Sequence, residues 1–152
     1  MNWKTLLGAG VFAVLLFGGY RIALIEDHPL VRKSIAQTLD SLGFEVRAFA
    51  GGAEFIQWLS SPEREEIALV LSDVVMPGMS GPDVWVSVRE QEPGLPFLFL
   101  TGYAGKNLAV HNVPDDMILM KPVTGRVLMQ KIIEQVKRHE QSLAKQEHEN
   151  GN

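Results

Sequence analysis

From residue 21 onward, short apolar runs alternate with segments whose apolar residues recur at helical spacing. RIALI (21–25), IALVLS (67–72), PFLFLT (96–101) and MILM (117–120) are apolar nearly throughout, as strands buried on both faces are, while FEVRAF (44–49) alternates. Between them, Leu30, Val31, Ile35, Leu39 and Leu42 predict a helix over 29–43 that stops at Gly43. Phe55, Ile56 and Leu59 predict a short helix over 53–60, and Val84, Trp85 and Val88 one over 82–91, with Trp85 facing the core. A further short helix is expected over 105–111. A closing helix is expected over 123–139, with Val127, Leu128, Ile132 and Val136 inward. Strands and helices taken in turn imply an α/β domain with a parallel sheet covered on both faces. In such a sheet, ligands sit beyond the carboxyl ends of the strands, near the point where strand order reverses.

The residues outside this alternation divide the chain into a hydrophobic segment (1–20), the domain (21–139) and a polar tail (140–152) that either extends the last helix or frays. Sixteen uncharged residues, TLLGAGVFAVLLFGGY, lie between Lys4 and Arg21, with Trp3 and Tyr20 flanking the run as aromatics do at membrane interfaces. As a helix they would measure about 24 Å, slightly short of a hydrocarbon core of about 30 Å. The expectation is a single membrane anchor formed by residues 3–20. A cleaved signal peptide and an adventitious leader are the competing readings; without the anchor the domain is simply soluble and cytoplasmic. Arg21, Arg32 and Lys33 against a lone Lys4 place the domain on the cytoplasmic side.

The net charge of −4 argues against a general nucleic-acid binder, which needs a basic face. With no cysteine there is no disulfide, zinc-thiolate or thiol chemistry, and the four histidines show no metal-ligand spacing.

The strand ends carry the chemistry. The first strand is followed by Glu26 and Asp27, the third by Asp73, the fourth ends in Thr101, and the fifth is followed by Lys121. Crowded carboxylates repel unless a cation is present, and Mg2+ prefers oxygen ligands of this kind. Asp27 and Asp73 could hold the ion directly and Glu26 through water. A carboxylate can attack phosphorus, with Lys121 and the ion offsetting phosphoryl charge and Thr101 bonding a phosphoryl oxygen. Taken singly, each of these residues reads as a cap or a loop residue; the ordered set is hard to obtain by chance.

ALIEDHPLVR, LVLSDVVMPGMSG, FLFLTGYAG and MKPV, spread over residues 21–138, resemble the response-regulator receiver domain of two-component systems, and the wording is closest to receivers of hybrid sensor kinases. The resemblance implies a doubly wound, five-stranded, flavodoxin-like fold. It also implies Mg2+-dependent phosphoryl transfer from a histidine kinase or histidine phosphotransfer protein to Asp73, in a signalling domain that catalyses only its own phosphorylation and dephosphorylation. By the same resemblance, Glu26 and Asp27 are the acidic pair, Val75 supplies a backbone carbonyl to the ion, Thr101 is the switch hydroxyl, Lys121 contacts the phosphoryl group, and the bond before Pro122 is cis. Ile118 departs from the family's switch aromatic. Val75 and Tyr103, neither acidic nor amide, are expected to shield the acyl phosphate from water. With few residues after His139, output is expected through protein contacts around 105–111 and 123–136. Two other functions compete: a binding module that has lost switching, favoured by Ile118, and a dehalogenase-like phosphatase, disfavoured because Val75 leaves no general acid two residues after Asp73.

Overall fold

The computed structural model describes residues 19–102 and 112–151. The expected helices over 1–20 and 105–111 thus fall outside the described residues, apart from Gly19 and Tyr20, and Tyr103 does too. In chain order the elements are β1 (Arg21–Ile25), α1 (Pro29–Ser41), β2 (Glu45–Phe49), α2 (Gly52–Leu59), β3 (Leu69–Asp73), α3 (Gly81–Gln91), β4 (Phe97–Thr101), a 3-10 turn (Asp115–Met117), β5 (Ile118–Met120) and α4 (Gly125–Asn150). The five strands pair in the order β2-β1-β3-β4-β5, and every pairing is parallel. The sheet is therefore doubly wound: the chain steps one way from β1 to β2 and the other way from β1's far side through β3 to β5.

Successive strand residues face opposite sides of the sheet, so β1 feeds two cores at once. Ile22 and Leu24 join Leu39, Leu71, Leu98 and Ile132 under α1 and α4. Ala23 and Ile25 join Phe55, Val70, Val84 and Phe99 under α2 and α3. This explains the unbroken apolar text of the central strands, and each fully buried Leu, Ile or Phe contributes about 1.5–3 kcal/mol over leaving it in water. β2 alternates in sequence because it is an edge strand, buried only at Phe49 and partly at Val46. Trp85 packs inward as expected, edge-on to Phe99, with the Arg89 guanidinium 4.7 Å from its ring centroid.

The helix starts follow local chemistry. Pro29 opens α1 after His28, whose Nδ1 accepts from the Val31 N–H. Ser80 and Asp83 form a reciprocal capping box on α3, and Thr124 caps α4 through Val127. α1 leads through Gly43, whose φ of +94° is a glycine conformation, into β2. α4 continues to Asn150, so the polar tail extends the helix, the first of the two readings left open.

Tyr20 corrects an expectation. Rather than flanking an apolar run as an interfacial aromatic, it is buried at 8% exposure in the α1/α4 core, and its hydroxyl donates to Glu140 at 2.7 Å. Among the described residues no helix is long and apolar enough to cross a membrane.

Candidate functional site

The strand order reverses beside β1, whose neighbours are β2 and β3, so the crevice opens at the carboxyl ends of β1 and β3. Glu26 and Asp27 leave β1 there, and Asp73 is the last residue of β3. One carboxylate oxygen from each of the three lies within 4.8 Å of the others. Lys121, immediately after β5, reaches across: its Nζ is 3.1 Å from Glu26 Oε2 and 3.6 Å from Asp73 Oδ2. The Lys121 N–H donates to the Thr101 carbonyl at 2.7 Å, which ties the lysine loop to the end of β4, and the Lys121–Pro122 bond is cis. Thr101 itself is 2% exposed at the end of β4, one strand from Asp73, which registers with Leu100. Val75 stands two residues past Asp73 with 62% of its surface exposed.

Backbone contacts hold Asp73 in place. Its Oδ1 accepts from the Val74 N–H at 2.8 Å, and its carbonyl accepts from the Ser72 hydroxyl at 2.8 Å. The following loop closes on itself when the Gly81 N–H donates to the Val74 carbonyl at 2.9 Å. A Cβ on Gly81 would sit 2.1 Å from the Asp73 carbonyl oxygen, so only glycine lets the backbone pass this close.

Glu26 is the most enclosed of the three acids, at 2% exposure. Burial pushes its carboxyl above the usual range; the Lys121 hydrogen bond opposes the rise and the Asp73 charge adds to it. Glu26, expected to support an ion through water, is also the nearer carboxylate partner of Lys121.

The donor set suits a hard divalent cation. It offers carboxylate oxygens only, at mutual distances one ion can span, and three acids gathered this closely concentrate negative charge that a cation relieves. One further residue in the structure escaped the sequence reading: Arg32, whose Nη1 donates to the carbonyls of Glu26 at 2.8 Å and Asp27 at 3.3 Å. Its only textual signal is a cation one turn into α1, where the helix dipole disfavours one.

Fold and cluster together define a flavodoxin-like α/β domain with its acidic residues gathered at the sheet's reversal point. Residues 22–133 match the response regulator receiver domain family, and the chain belongs to it. It is a receiver domain of two-component signalling, a signalling domain rather than a classical enzyme. The response regulator receiver protein CpdR of Brucella abortus is 33% identical over 114 residues, which cover 74% of this chain and 92% of that protein. The sensor kinase CckA of Brucella abortus is 32% identical over 128 residues, 82% of this chain. The chain spans 13% of CckA and 24% of the Rhizobium meliloti transcriptional regulator DctD, so these relatives are far longer. Among solved structures, a response regulator receiver protein from Sinorhizobium medicae superposes with a TM-score of 0.72 at 28% identity, covering 80% of this chain and 98% of that one. A CheY-like receiver domain protein from Methanospirillum hungatei gives 0.72 at 30% identity, covering 82% and 99%.

Proposed function

We propose that Asp73 is a phosphoacceptor served by Glu26, Asp27, Thr101, Val75 and Lys121. The observation that carries this reading is the position of Lys121 Nζ between Glu26 and Asp73, over three carboxylates whose oxygens lie within 4.8 Å of one another. The Asp73 carboxylate attacks the phosphorus of a phosphohistidine on a histidine kinase or histidine phosphotransfer protein. A P–O bond forms, the P–N bond breaks, and the departing imidazole takes up a proton. Lys121 offsets charge on the transferred group, and Thr101 hydrogen-bonds one of its oxygens. Asp27, Asp73 and the Val75 carbonyl would hold Mg2+, with Glu26 in support; the bound ion supplies countercharge to the carboxylates and the phosphoryl oxygens. Hydrolysis of the acyl phosphate resets the domain, and output passes through protein contact.

Intact-mass analysis after incubation with acetyl phosphate tests this. The expected result is a gain of one phosphoryl group that requires Mg2+ and disappears in Asp73→Asn. No gain in the wild-type chain overturns it in favour of a module that binds without switching, the reading that Ile118 on β5 favours.

For the segment expected as an anchor over 3–20 the reading is a single tether before Gly19 with the domain on the cytoplasmic side, supported by the uncharged, apolar run that starts at Thr5 and by the basic residues that follow. Membrane fractionation with and without residues 1–18 decides it, and equal solubility of both forms overturns it.

A further inference from the structure

Arg32 occupies an electrostatically unfavourable place. It lies one turn into α1, at the end where the helix dipole is positive and where acidic side chains are the stabilising ones. α1 has no acidic residue in its first turn. The guanidinium turns back along the chain, and Nη1 donates to the Glu26 carbonyl at 2.8 Å and the Asp27 carbonyl at 3.3 Å. These carbonyls belong to the two peptide planes that flank the Cα of Asp27. Because each plane is rigid, holding both fixes the two backbone dihedrals of Asp27 and therefore the direction in which its carboxylate leaves the chain. Glu26 is held independently, by its N–H on the Phe49 carbonyl at 3.1 Å and its carboxylate on Lys121.

We propose that Arg32 is a positioning residue for the cation site: its clamp on the peptides either side of Asp27 holds that carboxylate at the spacing from Asp73 that one divalent ion bridges. The inference rests on the reading of Glu26, Asp27 and Asp73 as an ion site. It carries a sign that separates it from a plain charge effect. A positive guanidinium near a dication repels it, so removing the charge alone would tighten ion binding. Removing the clamp loosens Asp27 and weakens binding, as loss of outer partners of metal ligands does elsewhere.

Calorimetric Mg2+ titrations of the full chain, of Arg32→Ala and of Arg32→Lys at one ionic strength test this, with circular dichroism melts alongside. Arg32→Ala is expected to raise the Mg2+ Kd about tenfold. Arg32→Lys, which keeps the charge but ends one bond short of the Nη1 that meets both carbonyls, is expected to recover only part of that loss. Unchanged or tighter binding in Arg32→Ala overturns the inference, and so does full recovery in Arg32→Lys. If Arg32→Ala fails to fold, the lysine variant decides alone: wild-type affinity overturns the clamp and weaker affinity supports it. A wild-type chain that takes up no Mg2+ overturns the ion site and the clamp together, whereas a binding wild type with an indifferent variant overturns the clamp only.

Discussion

Lys121 is closer to Glu26, at 3.1 Å, than to Asp73, at 3.6 Å. The ammonium is thus parked on the buried acid while it also reaches the proposed nucleophile. Removing it strands Glu26, whose side chain is 3% exposed against 25% for Lys121. Lys121→Ala is expected to slow phosphorylation by acetyl phosphate about a hundredfold. It should also lower stability at neutral pH by on the order of 2 kcal/mol, less than for a fully enclosed pair. The pH dependence has a definite sign. Burial raises the folded-state pKa of Glu26 above its ordinary 4.5, and loss of Lys121 raises it further. The folded variant therefore keeps a proton that the unfolded chain releases. Its stability is retained below pH 4.5 and lost as pH rises through the folded value. Urea titrations of both proteins at acid and neutral pH check this; a deficit that shrinks with rising pH contradicts it.

Gly81→Ala should be among the most damaging single-methyl changes in the domain. The added carbon meets the Asp73 carbonyl oxygen at 2.1 Å, and that oxygen is backbone, which cannot swing aside as a side chain could. The expected cost is about 3 kcal/mol, with a large drop in phosphorylation because the strain falls on the peptide of Asp73 itself. Thermal melts and acetyl phosphate labelling together report it; a wild-type melt would show that the loop yields without strain.

Tyr20 and Glu140 make a pH-dependent clasp between the start of β1 and the outer half of α4. Burial pushes the Tyr20 phenol above its ordinary 10.0, and the hydrogen bond to Glu140 and that residue's charge add to the rise. A raised folded pKa means the stabilisation is complete below pH 10.0 and is lost as pH climbs through the folded value. Tyr20→Phe should cost about 1.5 kcal/mol at neutral pH. The gap from wild type should narrow in strongly alkaline urea titrations, where the wild type must bury a charge or give up the contact. A constant gap would place the hydroxyl's contribution elsewhere.

Val75 is expected to lengthen the life of the acyl phosphate. It is 62% exposed two residues past Asp73, an apolar side chain with no group to position an attacking water. Val75→Asn should shorten the phosphoryl half-life several-fold, read by the decay of the labelled mass after donor removal. A wild-type half-life of seconds contradicts the shielding role.

The sheet was legible because strands buried on both faces leave no room for polar residues. Leu69 to Leu71 and Phe97 to Leu100 could be little else once turn residues bounded them. The site was legible because parallel strands deliver every carboxyl end to one pole, so the residues following the strands formed the list of candidates. Boundaries slipped by a residue or two where side chains could sit either way. β3 begins at Leu69 rather than Ile67 and takes in Asp73, and Met117 belongs to the 3-10 turn before β5. What the text could not show was partnership across the fold. Tyr20 looked interfacial because it closes an apolar run, whereas its hydroxyl partner lies 120 residues away. The role of Arg32 depends on backbone carbonyls, which carry no letter in a sequence. The outer turns of α4 are polar apart from Leu143 and Ala144, too few apolar residues to mark a periodicity, although Glu, Lys, Gln and Ala there are all good helix formers.

Because all five strands run the same way, the backbone joins the sheet at Gly19 and Tyr20 on one pole and presents Asp73 on the other. The two ends of the domain therefore lie at opposite poles of the sheet. A bead, a fusion partner or a lipid surface attached at the first would stand across the length of the sheet from the second.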